Sequence, residues 1–154
     1  MSIPDIKFKQ NVISGISFEG FKGFRNGNQS IPNNVETIII LTEVYDTYEY
    51  FDANIDNTKI VIKKDGYYQI NASITCPGNG SGNRQILIRK NGVTLIIYEI
   101  SGSEAGWTTQ EHMGDVIYLL NGEYIKISVI QTSGVALNVL GGETLSFISI
   151  RRVG

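Results

Sequence analysis

Alternating hydrophobic and polar positions run along most of the chain, and the segment TKIVIKKDGYYQINASI, residues 58–74, shows them most clearly. Before Asp65-Gly66, the residues Ile60 and Ile62 share one side. After it come two interleaved sets: Tyr68, Ile70, Ala72 and Ile74, and then Tyr67, Gln69, Asn71 and Ser73. A period of two residues is typical of β-strands, so the segment predicts a strand, a turn and a second strand. The apolar set is a core face, whereas the other set places a large aromatic side chain among small polar ones.

Similar strand patterns recur in the segments VETIIILTEVYDTYEYFD, RQILIRKNGVTLIIYEI, DVIYLLNGEYIKISVIQ and ETLSFISIRRV, and no stretch of a dozen residues keeps a helical spacing of apolar positions. Three dipeptides, Asp65-Gly66, Asn91-Gly92 and Asn121-Gly122, separate alternating runs. Such dipeptides readily adopt the positive φ values of tight hairpins. Many short strands between such turns predict an all-β antiparallel sandwich or jelly roll.

The length of 154 residues suits one domain, and we find no internal repeat or linker. The stretches PGNGSGN (77–83) and SGSEAG (101–106) are predicted loops between strands. Residues 1–16 are less patterned, and we expect either an extended N-terminal arm or a frayed tail there. The domain itself is therefore placed at residues 17–154.

Charge and hydropathy narrow the range of partners. The formal net charge is -2 and no basic stripe is present, which argues against nucleic-acid binding. No apolar run approaches the roughly 18 residues of a membrane span. The N-terminal segment MSIPDIKFKQNV lacks the charged and apolar regions of a signal peptide. A surface role would therefore require cell lysis, assembly into a particle or a non-standard export route.

Several short motifs occur in a characteristic order: Phe51-Asp52, Gly66 and Tyr68 opening an alternating strand, Arg89-Lys90-Asn91-Gly92, Leu120 with Gly122-Glu123, and the closing LSFISI at 145–150. Together they resemble the C1q/TNF-like jelly-roll family, in the broad form found in complement C1q heads, bacterial spore-surface glycoproteins and phage virion proteins. The resemblance covers roughly residues 18–152. The sequence departs from the family pattern in that neither a collagen-like stem nor coiled-coil heptads precede the domain.

This resemblance implies a compact homotrimer in which one face of the inner sheet packs around a three-fold axis. On that basis we predict a trimer interface formed by Tyr67, Gln69, Tyr124 and Phe147, with Asn71 and Ser73 beside them. An aromatic anchor among polar groups is ordinary interface chemistry. The alternative is that these aromatic residues are half-buried on a sheet face that meets water.

Residues able to perform catalysis are scarce in the sequence. His112 is the only histidine, and a strand would direct its neighbour Glu111 to the opposite face. No nucleophile elbow of the form Gly-x-Ser-x-Gly occurs, so we predict no catalytic residues and no enzyme activity. Cys76, the only cysteine, is expected to act as a small hydrophobic residue.

Carboxylates and amides cluster in YDTYEYFDANIDN, which contains Asp46, Glu49, Asp52, Asn54 and Asp56. Oxygen ligands of this kind suit calcium, which some members of the resembled family bind. The spacing fits no EF-hand loop, however, and the alternative is that Asp52 caps a turn through its own backbone. We therefore expect no cofactor and no metal site, with calcium as the alternative.

Trp107 is the only tryptophan and lies in the distinctive loop SGSEAGWTTQ. Two interpretations remain. Its ring could stack on a sugar as part of a shallow glycan-binding surface, or it could cover one end of the sandwich, because tryptophan is usually largely buried.

The function predicted from these observations is that of a non-enzymatic, trimeric structural or adhesion protein on a particle surface. A bacteriophage virion accessory protein of the head or tail, such as a fibre or decoration protein, fits best. Residues 1–16 would then contact a particle protein after assembly in the host cytoplasm. Without a virion, we expect a cell or spore surface. The alternative function is a lectin-like, receptor-binding domain that recognises a host-surface glycan through the loops around Trp107.

Overall fold

A computed structural model describes residues 18–102 and 106–154. In these two ranges the chain forms strands, turns and loops, without a helix. The described residues accordingly include no helical segment suited to spanning a membrane. The predicted arm at residues 1–16 lies outside the described residues. The strands are β1 (Gly20–Phe24), β2 (Gln29–Ile31), β3 (Thr37–Ile38), β4 (Thr42–Asp46), β5 (Ile60–Val61), β6 (Gly66–Cys76), β7 (Asn83–Lys90), β8 (Thr94–Gly102), β9 (Thr109–Leu119), β10 (Tyr124–Gln131), β11 (Leu137–Val139) and β12 (Phe147–Arg152).

The strands form two layers. The first sheet has the order β4-β1-β12-β6-β9, and the second has the order β3-β10-β7-β8, with β5 also paired to β10. A small ribbon joins β11 to β2. All of the paired strands run antiparallel. The predicted all-β antiparallel jelly-roll sandwich is therefore confirmed.

The core fills the space between the two sheets and follows the predicted alternation. The apolar set of β6, namely Tyr68, Ile70, Ala72 and Ile74, is buried. Residues of the same kind from β7 and β10 belong to the same buried cluster: Ile86, Ile88, Ile125, Ile127 and Val129. Because side chains alternate across a strand, the intervening residues of β6 face away from the core.

The segment 58–74 is not the hairpin that its pattern predicts. β5 pairs with β10 of the second sheet, with Ile60 opposite Ile125, whereas β6 belongs to the first sheet. Asp65-Gly66 thus carries the chain from one sheet to the other. Both halves still direct apolar residues into one core, since the two sheets bury their inner faces against each other. The alternation is the same for a hairpin and a crossover, which is why the sequence did not distinguish them.

Only one of the three predicted hairpin dipeptides joins strands that pair with each other. Asn91-Gly92 connects β7 to β8, with φ values of 53° and 73° that suit a tight turn. Asn121-Gly122 instead joins β9 of the first sheet to β10 of the second. The turn chemistry reverses the chain in either case, but the pairing partner is decided by the packing of the sheets.

Gly66 opens β6 at a point where the backbone is crowded. A Cβ atom there would lie 2.2 Å from the carbonyl oxygen of Gly154. That carbonyl accepts a hydrogen bond from the Tyr67 N–H at 2.7 Å, and the Val153 N–H donates to the Tyr67 carbonyl at 2.8 Å. Glycine is therefore required where the C-terminal residues pair with the start of β6.

Candidate functional site

The outward face of the first sheet carries neighbouring apolar residues at the end where β6 begins. Tyr67 on β6 lies opposite Tyr118 on β9, and Gln69 lies opposite Val116. On the other side of β6, Arg151 of β12 lies opposite Gln69. Cross-strand neighbours share a face. We call the group formed by Tyr67, Gln69, Val116 and Tyr118 the aromatic face.

The aromatic face is exposed in the single chain. Tyr67, Val116 and Tyr118 keep 53%, 51% and 50% of their surface accessible. The two tyrosine rings make an edge-to-face contact, with centroids 5.0 Å apart and planes inclined at 70°. Edge-to-face contact is one of the arrangements that aromatic pairs prefer. The result is an exposed apolar surface of the kind that marks a contact with another molecule.

The opposite end of the same sheet face is already covered by the chain itself. Ser73 is buried, and its hydroxyl donates to the Leu145 carbonyl at 3.1 Å. The Thr75 hydroxyl donates to the same carbonyl at 2.7 Å. The expectation that Ser73 would meet a neighbouring subunit is therefore wrong, because the segment before β12 occupies that position.

Phe147 lies opposite Ser73 on β12 and belongs to the same outward side as Tyr67 and Gln69. Its ring is partly buried, with the Lys22 ammonium 5.0 Å from the centroid. Lys22 also pairs with Glu143 at 3.2 Å. Phe147 thus borders the covered end of this side, at a distance along the strands from the tyrosine pair.

Tyr124 does not share the surface predicted for it. It lies on β10, in the second sheet, and therefore on the opposite outside of the sandwich. The Lys59 and Lys126 ammonium groups lie 4.4 Å and 5.9 Å from its ring centroid. The pattern correctly separated Tyr124 from the core residue Ile125, but alternation does not reveal which sheet a strand joins.

Sequence reasoning missed the two residues of β9 that complete the aromatic face. Val116 and Tyr118 alternate with the inward-facing Ile117 and Leu119. This is the same period-two signal that identified Tyr67. The signal was available in the sequence, but only the register between β6 and β9 shows that these side chains meet.

The residues considered for catalysis lie apart. Glu111 points into the sandwich, whereas His112 is exposed on the opposite face of β9, as the alternation predicts. Cys76 is buried, and desolvation raises the pKa of its thiol to about 11. The thiol therefore stays protonated at neutral pH and behaves as the predicted small hydrophobic residue.

The acidic segment before β5 uses its carboxylates to shape its own loops. Asp52 accepts a hydrogen bond from the Asn54 N–H at 2.9 Å, as predicted for a turn cap. Asp46 accepts from the Phe51 N–H at 2.8 Å. These residues border a cleft of about 580 Å³. Across residues 18–102 and 106–154, no three acidic, histidine or cysteine side chains are grouped as metal ligands.

Trp107 is 72% exposed in the loop that precedes β9. Its backbone is close to the loop after β6, since a Cβ on Gly78 would lie 2.5 Å from the Trp107 carbonyl oxygen. The backbone thus packs closely against a neighbouring loop while the ring extends into solvent. The predicted covering role is wrong, because a ring that sealed the sandwich would itself be buried.

Comparison with known proteins identifies the fold. No protein-family model and no curated protein matches the sequence. Among solved structures, murine APRIL superimposes with a TM-score of 0.70 at 11% identity, covering 89% of this chain and 100% of that one. Eiger TNF from S. frugiperda gives 0.67 at 10% identity, with 89% and 93% covered. The globular domain of zebrafish complement 1qA gives 0.62 at 12% identity, with 88% and 98% covered. The chain therefore has the C1q/TNF-like jelly-roll fold.

Proposed function

We propose that this protein is a non-enzymatic homotrimeric structural or adhesion module whose subunits associate through the aromatic face. The observation that carries the proposal is the pair of Tyr67 and Tyr118, whose rings contact each other edge to face and are both about half exposed. Aromatic residues near the centre of an interface commonly supply most of its binding energy. The resemblance to the C1q/TNF-like family implies a trimer, and the fold that the chain shares with TNF and C1q domains supports that number of subunits.

A closed ring of three copies joins two different patches of the same chain, since each contact is heterologous. The aromatic face is one patch. The second that we propose is the outward side of β8, where Leu95, Tyr98 and Ile100 remain exposed. β8 is one of the two edge strands of the second sheet, and an edge strand with exposed apolar side chains is a ready site for association with another chain.

Size-exclusion chromatography with light scattering tests this assembly directly. Three copies of a 17.0 kDa chain have a mass of about 51 kDa. We expect that mass at micromolar concentration, with dissociation only on strong dilution, because a folded trimer is stabilised by mass action. A monomer at micromolar concentration would overturn the proposal.

The site of action that we propose is a particle surface, with a bacteriophage virion first and a cell or spore surface second. The support is the motif order that resembles the phage and spore branch of the family. In this proposal residues 1–16 attach the trimer to a particle protein. Immunogold electron microscopy of purified particles tests it: label on the particle surface is expected, and label only on unassembled protein would contradict it.

Trp107 supports a second candidate, a glycan-binding receptor-binding or lectin-like domain. A largely exposed indole is a suitable platform for the apolar face of a sugar ring. A glycan array probed with the wild type and with Trp107→Ala decides between the two functions. Binding that is lost in the variant supports the glycan function, whereas no binding by the wild type leaves the structural role.

A further inference from the structure

A cluster of side chains lies at the side of the sandwich where the two sheets approach each other, with Glu99 at its exposed rim. Its members come from four neighbouring strands, β6 to β9, and we call it the Glu111 cluster: Cys76, Arg84, Glu99, Ser101 and Glu111. Arg84 lies opposite Ser101 in the pairing of β7 with β8. The Ser101 hydroxyl donates a hydrogen bond to Glu111 of β9. The cluster therefore connects the two sheets on the side where β8 and β9 approach each other.

Arg84 is 1% exposed, and its guanidinium is committed to a loop. Its Nη1 donates to the carbonyls of Ser81 at 3.2 Å and Asn83 at 3.0 Å, and its Nη2 donates to the carbonyl of Asn79 at 3.3 Å. The third guanidinium nitrogen, Nε, has no hydrogen-bond partner. The hydrogen bonds of Arg84 thus hold the loop before β7 rather than a carboxylate.

Glu111 is 7% exposed, and only one of its oxygens is hydrogen-bonded. Ser101 donates to Oε1, whereas Oε2 is buried without a partner. Among the described residues, Glu111 forms no ion pair within 4.0 Å. Burying an ionised carboxylate under these conditions costs several times more free energy than burying a neutral carboxyl. The geometry therefore favours the protonated side chain.

The titratable groups around Glu111 do not reverse its preference for the protonated form. Burial has the largest effect on the pKa of Glu111 and raises it, and the negative charge of Glu99 on β8 raises it further. Arg84 on β7 lowers the pKa, but the net result is a pKa of about 7. Cys76 of β6 is neutral at this pH because its thiol is itself desolvated. The net result is a carboxyl group that exchanges its proton near neutral pH.

We propose that Glu111 is a proton-dependent switch that holds β8 and β9 together in mildly acidic solution and loosens this side of the sandwich as the pH rises through neutrality. The folded chain binds a proton at Glu111 that the unfolded chain has already released at the same pH. Stability from this group is therefore fully present below the ordinary glutamate pKa and is lost as the pH rises through about 7. Every member of the cluster belongs to one chain, so the proton site itself is complete without a second subunit.

Amide hydrogen exchange measured from pH 5 to pH 8, and corrected for the intrinsic pH dependence of exchange, tests the switch. We expect opening of β8 and β9 in the wild type to increase about tenfold or more over this range, since one pKa unit corresponds to a factor of ten. In Glu111→Gln, which mimics the protonated side chain, the opening should be independent of pH. β10 provides the internal control in both proteins. Identical pH dependence in the two proteins would overturn the proposal.

The second measurement does not depend on the folding of any variant. Carbon-13 NMR of the wild-type side-chain carboxyls should show Glu111 titrating near pH 7. A midpoint below pH 5 would overturn the proposal. The matched control is Glu99→Gln, which removes the neighbouring negative charge from an exposed position. It should lower the Glu111 midpoint while retaining pH-dependent opening, and an unchanged midpoint would contradict the role assigned to Glu99.

Discussion

Two regions on the outside of this sandwich differ in how their side chains are satisfied in a single chain. On the outside of β10 and β7, charged groups pair within the chain. Arg89 binds Glu36 through two nitrogens at 2.7 Å and 3.0 Å, and Lys126 pairs with Asp56 at 2.9 Å. We call this the paired face. The aromatic face has no such covering for Tyr67, which contacts another half-exposed tyrosine.

The difference indicates which surface would gain more free energy from contact with a partner. A face whose polar groups bind each other loses little by remaining in water, because its ion pairs are satisfied there. A face with ordered aromatic rings exposes apolar area, which contributes roughly 25 cal/mol per Å² when buried. Of these two faces, the aromatic one therefore gains more from association, and the variants below test this contrast.

The largest effect is expected for Tyr67→Glu. A charge in the centre of the proposed interface would be buried without a partner, so trimer dissociation should increase at least about 100-fold, or about 2.7 kcal/mol. Light scattering at several concentrations measures it. The matched control is Tyr124→Glu on the paired face, where the ammonium groups of Lys59 and Lys126 lie close enough to pair with the new carboxylate. Equal effects of the two variants would contradict the assignment of faces.

A smaller loss of assembly is expected for Tyr98→Glu. Tyr98 lies on the outward side of β8 and is 46% exposed, with its hydroxyl 3.3 Å from Gln85. If β8 is the complementary patch, the variant should weaken the trimer about tenfold, or about 1.4 kcal/mol, without changing the folded chain. Sedimentation velocity together with circular dichroism measures both properties. A trimer as strong as the wild type would exclude β8 from the interface.

Asp56→Asn tests the paired face through its pH dependence. Hydrogen bonds from Thr58 and then Lys126 lower the pKa of Asp56 to about 2. A lowered pKa contributes stability above the ordinary value, and this contribution is lost as the pH falls from about 4 through about 2. We expect the variant to be about 1 kcal/mol less stable at pH 7, since the pair is partly exposed. Urea denaturation should show this difference shrinking at pH 2, whereas a difference independent of pH would contradict the charge-based explanation.

The smallest effect on stability is expected for Trp107→Ala. Because the ring is largely in solvent, its removal should change the free energy of unfolding by less than about 0.5 kcal/mol. Thermal and urea denaturation measure this directly. A loss of 2 kcal/mol or more would mean that the ring is buried in the assembled protein, and would place Trp107 in a subunit contact rather than in a ligand site.

Much of the fold was predictable because it depends on local alternation. The burial of Tyr68 and Ile70, the exposure of Tyr67, and the opposite directions of Glu111 and His112 all follow from a period of two residues. These properties belong to each strand by itself. They hold whichever strand becomes its neighbour.

The candidate site was only partly predictable, because it requires the register between strands. Tyr67 and Tyr118 come from distant segments, and Tyr124 was assigned to their surface although it lies on the other sheet. The Glu111 cluster was also hidden, since Arg84, Ser101 and Glu111 come together only when β7 has paired with β8 and the two sheets have packed against each other. Neither arrangement has a signal within a short window of sequence.

The sequence by itself determined that this is an all-β chain, which residues of each strand face inward, and where the backbone reverses at Asp65-Gly66, Asn91-Gly92 and Asn121-Gly122. The tertiary structure decided that only Asn91-Gly92 among them closes a hairpin, and which outward residues meet. The physical reason is that strand periodicity is fixed by local backbone geometry. Strand partners, in contrast, are selected by the burial of both inner faces in one core, which depends on every strand at once.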